Sequence, residues 1–147
     1  MKRRQAILST AGAALAANLT ATQTVHAQGI AGAGKERVVI QLSTPEQRLW
    51  NQALNYIDNL RELYGPDKVE IEIVALGLGL GVLKLDSTQG PRVAESLKLG
   101  VHISACENTM RRQKLMREDM LPNIGFVPAG LGQIIKRQRE GWAYINA

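Results

Sequence analysis

Two short apolar runs, Arg37 to Leu42 and Val69 to Leu76, are separated by one long amphipathic stretch, and this order restricts the fold more than any other feature. Strand, helix, strand in succession builds a parallel pair, because the helical crossover carries the chain back to the end of the sheet from which it started. The first run is continuously apolar, as strands covered on both faces are. The second begins as an alternation through Glu70 and Glu72 and ends uninterrupted, so its second half is the more deeply buried. Between them Leu49, Trp50, Ala53, Leu54, Ile57, Leu60 and Tyr64 recur at three- and four-residue steps, with Arg48, Asn51, Asp58, Asn59 and Glu62 on the other side. Thr44 is placed to cap this helix, with Pro45 at its first position and Gln47 at capping-box spacing; Gly65-Pro66 stops it.

The alternation continues to the end of the chain. Gly90 to Gly100 predicts a short helix opened by Pro91, and Val101, Ile103 and Ala105 alternate with His102 and Ser104 as a strand. A helix starts near Glu107, Ile124 to Pro128 forms a further strand, and Gly130 to Arg139 a last helix with Leu131, Ile134 and Ile135 inward. Trp142 to Ile145 adds an edge strand. Such an order argues for an α/β domain of three layers, α/β/α, on a mainly parallel sheet. Ligands of these sheets bind beyond the carboxyl ends of the strands, where two features fall: a glycine-rich turn and Cys106.

The turn is Gly77-Leu78-Gly79-Leu80-Gly81. Glycine lets backbone approach a ligand closely, so Gly77, Gly79 and Gly81 are candidates for a pocket. Their G-x-G-x-G spacing departs from the G-x-G-x-x-G of dinucleotide sites, and the turn reads as structural or pocket-lining.

Cys106 is the only cysteine, so it cannot close a disulfide within the chain. At a strand-to-helix junction, the unpaired N–H groups of the first helical turn favour thiolate over thiol. Glu107 opposes that effect, and Arg111 and Arg112 offset it in part. A reactive thiol and a packed, inert cysteine both remain open. His102, four residues back on one strand, stands about 13 Å away. That separation argues against a Cys/His hydrolase and against a Cys/His metal pair; no metal or organic cofactor is expected.

Met1-Lys2-Arg3-Arg4 precedes an acid-free stretch rich in Ala, Thr and Leu, closed by Val25-His26-Ala27. This is the layout of an export signal cut after Ala27, and the paired arginines resemble a twin-arginine signal, with Ala6 where that motif has a bulky residue. Asn18, Thr20, Thr22 and Gln23 interrupt the apolar stretch, leaving it short of the ~20 residues of a membrane anchor. The expected organisation is therefore a signal peptide at 1–27, a flexible lead-in at 28–36, one domain at 37–147, and a periplasmic location. Without Lys2, Arg3 and Arg4, 15 of the 18 basic residues remain against 13 acidic ones. The clusters Arg111-Arg112-Gln113-Lys114 and Lys136-Arg137-Gln138-Arg139 lack interleaved aromatics and read as solvated helix faces, so no nucleic-acid partner is expected.

Three segments, Ala105-Cys106-Glu107-Asn108-Thr109-Met110, Val127-Pro128-Ala129-Gly130 and Gln138-Arg139-Glu140-Gly141-Trp142-Ala143-Tyr144-Ile145, together resemble the DsrE/DsrF-like family of sulfur-relay proteins, in its exported single-domain branch. The resemblance implies a flavodoxin-like three-layer fold, trimers or hexamers, and a cysteine that receives sulfane sulfur as a persulfide and hands it to a partner protein. Cys106 matches that cysteine, and Asn108 and Thr109 match residues that support the helix start. Relatives have a histidine before the glycine turn; here Leu76 takes its place. The leading expectation is a sulfur carrier or sulfurtransferase with separate donor and acceptor proteins. The apolar residues Leu78, Leu80, Val82, Leu83 and Leu85 are candidates for the subunit contact of the implied oligomer. The alternatives are a non-catalytic oligomeric module that binds a small ligand or partner, with an inert Cys106, and a redox-sensing thiol.

Overall fold

The computed structural model describes residues 34–147; the signal-peptide reading of 1–27 lies outside them. Five strands, β1 (Glu36–Leu42), β2 (Val69–Ala75), β3 (His102–Cys106), β4 (Gly125–Val127) and β5 (Ala143–Asn146), form one sheet in the order β4-β3-β2-β1-β5. Every pair in it is parallel. Four α-helices connect them: α1 (Gln47–Tyr64), α2 (Gly90–Lys98), α3 (Glu107–Gln113) and α4 (Gly130–Arg139).

The chain steps outward from β1 to β4 and then returns through α4 past β1 to β5. Right-handed crossovers running in opposite directions place their helices on opposite faces. Alternate residues of β1 separate accordingly. Val38, Ile40 and Leu42 join Trp50, Ala53, Leu54 and Ile57 of α1 in the larger core. Val39, with Val74 of β2, meets Ile134 of α4 and Trp142. The three-layer α/β/α architecture is thus assembled from the two-residue period of the strands.

Several local expectations are corrected. Helix α1 begins at Gln47, because Glu46 stays extended and no side chain caps it. The Thr44 carbonyl accepts the Trp50 indole N–H at 2.7 Å, which holds the Thr44–Glu46 leg outside the helix. Tyr64, at the end of α1, is exposed. On α4 only Ile134 of the three apolar residues is buried; Leu131 is 59% and Ile135 49% exposed. One helix on a flat sheet touches it along one stripe, and each of these residues sits about 100° around from its buried predecessor, Gly130 or Ile134. The stretch after β2 coils into a 3-10 turn, Gly77–Leu83, that tucks Leu80, Val82 and Leu83 into the core. Of the five residues expected to form a subunit contact, only Leu78 and Leu85 are exposed.

Candidate functional site

Cys106 is the last residue of β3 and the N-cap of α3, with extended backbone at φ −77° and ψ 111°. It shares a face of the sheet with Ser104 and hence with α4. The first residue of that helix, Gly130, donates its backbone N–H to the Cys106 Sγ at 3.1 Å. A Cβ on Gly130 would lie 3.2 Å from the Cβ atoms of both Cys106 and Leu76 and 3.3 Å from Val74 Cγ1. Glycine therefore lets α4 dock close enough for its amide to reach the sulfur.

The second support comes from α3 itself. The Thr109 hydroxyl accepts the Gly77 N–H at 3.0 Å, which leaves its own proton for the sulfur. Burial raises the Cys106 pKa, but hydrogen bonds from the Thr109 hydroxyl and from the Gly130, Thr109 and Asn108 N–H groups outweigh it, and the thiol pKa falls below its ordinary 9.0. The Asn108 N–H is shared with the Pro128 carbonyl at 3.2 Å, which ties the helix start to the end of β4. Cys106 itself is 4% exposed.

The nearby charges are arranged to leave the thiolate undisturbed. Glu107 is held by the Arg117 guanidinium, which also stacks on Phe126 at 4.4 Å. Arg111 bonds to the Asn108 side chain, over the first turn of α3. The carboxylate that opposes the thiolate in sequence is thus neutralised by Arg117, a residue eleven positions from Cys106, while Arg112 is exposed.

The three candidate glycines separate. Gly77, at φ +54°, lies beside the site, its N–H on Thr109 and its carbonyl accepting Gln113 Nε2 at 2.9 Å. Gly79 and Gly81 are used for packing. A Cβ on Gly79 would lie 2.3 Å from the Leu42 carbonyl oxygen, and one on Gly81 would lie 2.9 Å from the Trp50 ring. His102 opens β3 at the end opposite Cys106 and is exposed. Among the described residues no group of His, Cys, Asp and Glu is arranged to hold a metal ion. A cavity of about 280 Å³ lies between α2 and Leu121–Asn123, with no residue of the thiol site in its wall.

Two contributors escaped the sequence reading. In the sequence Gly130 reads as a helix start and as the end of the Val127-Pro128-Ala129-Gly130 segment, with no link to the sulfur. Glu72 sat in an alternating strand as an ordinary polar residue, yet it is 2% exposed. Its carboxylate accepts Gln133 Nε2 at 2.8 Å and pairs with Arg137 Nε. Arg137, expected on a solvated face, lies over Trp142 at 4.5 Å and also bonds Glu140 at 3.0 Å. Burial lowers the Arg137 pKa, but Glu72 and Glu140 more than offset it and raise it above the ordinary value.

The solved protein of unknown function MTH1491 from Methanobacterium thermoautotrophicum is 36% identical to this chain, with a TM-score of 0.67, covering 77% of this chain and 100% of its own. BT1422 from Bacteroides thetaiotaomicron, a conserved protein of unknown function, is 18% identical over 76% of this chain and 95% of its own, with a TM-score of 0.63. The ychN protein of E. coli is 9% identical over 77% of this chain and 99% of its own, at 0.61. The last two likenesses show the fold. No curated protein matches. The model of the DsrE/DsrF-like family matches residues 3–147, and the chain belongs to that family.

Proposed function

We propose that this protein is a periplasmic sulfur carrier in which Cys106 accepts sulfane sulfur as a persulfide and passes it on. The observation that carries the reading is the pair of donors on Sγ from separate elements, the Gly130 N–H of α4 and the Thr109 hydroxyl of α3. A thiolate needs no metal or organic cofactor to exchange sulfur. The Cys106 thiolate attacks the outer sulfur of a donor persulfide, R–S–SH; the new S–S bond forms as the donor's breaks, and R–S⁻ leaves. Cys106 then carries –S–SH, whose outer sulfur is taken by an acceptor thiolate, and the Cys106 thiolate is regenerated. Donor and acceptor are separate proteins in this reading, and the carrier assembles as a trimer or hexamer.

A second reading is favoured by one observation, the 4% exposure of Cys106. It makes the chain an oligomeric binding module with an inert, packed cysteine. Intact mass spectrometry after exposure to a sulfane-sulfur donor separates the two, with Cys106→Ser as control. The carrier gains a single sulfur that thiol removes, and the serine variant gains none. No gain on a folded protein would favour the binding module, and oxygen addition without sulfur would favour a redox sensor.

A further inference from the structure

We propose that Glu72 is a positioning residue for the Cys106 thiolate, acting through Gln133 and Arg137 to hold α4 where the Gly130 amide meets the sulfur. Glu72 cannot act by contact. Its register partner on β3 is His102, four residues before Cys106, about 13 Å along the strand. Its two carboxylate oxygens instead grip α4 at positions four residues apart, Oε1 on Gln133 and Oε2 on Arg137. One anchor would leave the helix free to roll about that point; two on one side fix both its rotation and its axial position. Gln133 lies one turn after Gly130, so a roll or slide of α4 about this latch moves the Gly130 N–H directly.

The fit at Gly130 allows little movement. The surroundings close to within 3.2 to 3.3 Å of a Cβ position there, and the Gly130 N–H meets Sγ at 3.1 Å. Hydrogen bonds weaken steeply with misalignment. Replacing a buried ion pair by well-packed apolar groups of similar volume is often neutral or stabilising, and the best-attested use of such a pair is to specify a register. Here the register is that of α4 on the sheet.

The sign of the effect separates positioning from a long-range field. The charged groups on α3 are Glu107, neutralised by Arg117, Arg111 on Asn108, and the exposed Arg112. The first turn of α4, strand β4 and Gly77 bring none. Removing the Glu72 charge leaves Arg137 without that partner, and the added positive field would lower the thiol pKa. Loss of the Gly130 bond raises it.

The inference needs Cys106 to ionise, as the sulfur-carrier reading does, but not to take up sulfur. The test is therefore a pH titration of thiolate ultraviolet absorbance on the whole chain, where Cys106 is the sole cysteine. Glu72→Gln and Gln133→Leu are compared with Ile134→Val, which thins the same helix–sheet contact and leaves the latch intact. Both latch variants should raise the midpoint by roughly half to one pH unit, a three- to tenfold lower ratio of thiolate to thiol at a fixed pH. Ile134→Val should lower the melting temperature and leave the midpoint in place. An unmoved midpoint in Gln133→Leu, an equal shift in Ile134→Val, or a lowered midpoint in Glu72→Gln would overturn the proposal. Should Glu72→Gln fail to fold, Gln133→Leu, which keeps the ion pair, decides. A wild-type protein that takes up no sulfur while the latch variants shift the midpoint would sink the sulfur reading and leave this one standing.

Discussion

At Cys106 protonation and folding are linked. The folded thiol titrates below 9.0 because the hydrogen bonds that Thr109, Gly130 and Asn108 direct at the sulfur outweigh its burial. A group whose pKa is depressed by folding contributes stability above its unfolded pKa and loses it as the pH falls through the folded value. Wild type and Cys106→Ser should therefore differ in a pH-dependent way. Between the lowered folded pKa and about 9, the ordinary thiol value, the stability of wild type relative to the serine variant should rise with pH. Urea unfolding of both proteins at a series of pH values reads the difference directly. A gap that narrows with rising pH would mean that burial wins and that the folded thiol is harder to ionise than an ordinary one.

Among the elements, α4 connects this chemistry to the fold, and Gly130→Ala tests the connection. The added methyl meets Cys106, Leu76 and Val74 within 3.3 Å, so α4 must lift or the sheet must yield, at a cost of about 1 to 3 kcal/mol. The melting temperature should fall and the thiol midpoint should rise; a stabilised variant would mean that the helix has room there. The same element marks how far the sequence could be read. Strands and helices were legible because their periods, two and three to four residues, are local. The Cys106 junction was legible for the same reason, since strand and helix start are adjacent in the chain. What Gly130 and Glu72 do was not, because each meets its partner only when α4 docks on the sheet. Glu72 in particular occupies a position that alternation assigns to water, and only the distant Arg137 and Gln133 make its burial tolerable. Leu131 and Ile135 fail in the opposite sense, since apolar spacing reports a helical face without reporting how much sheet lies beneath it.

For the whole molecule those two residues become the question. Leu131 and Ile135 lie one turn apart on α4, exposed to 59% and 49%, so they form one apolar strip beside the helix that shelters Cys106. The proposed trimer or hexamer has a natural contact there, in place of the largely buried Leu78 to Leu85 segment. Because each is only about half exposed, covering this Leu and Ile is worth roughly 1.5 to 3 kcal/mol per protomer. Each 1.4 kcal/mol is tenfold in affinity, so the strip accounts for roughly ten- to a hundredfold in association. Charged residues are depleted from the centres of such contacts, so Leu131→Lys with Ile135→Lys should convert the assembly into a folded monomer. Light scattering at micromolar concentration checks this, with circular dichroism to confirm that the fold persists. A wild-type monomer would end the oligomer proposal. A double variant that keeps the wild-type mass would move the interface elsewhere, to a surface that includes Leu78 or Leu85. Because the strip continues along the helix that begins at Gly130, a monomeric variant should also be titrated for its thiol. An unchanged midpoint would show that each protomer builds its own thiolate site, and a raised one that neighbours press α4 onto the sulfur.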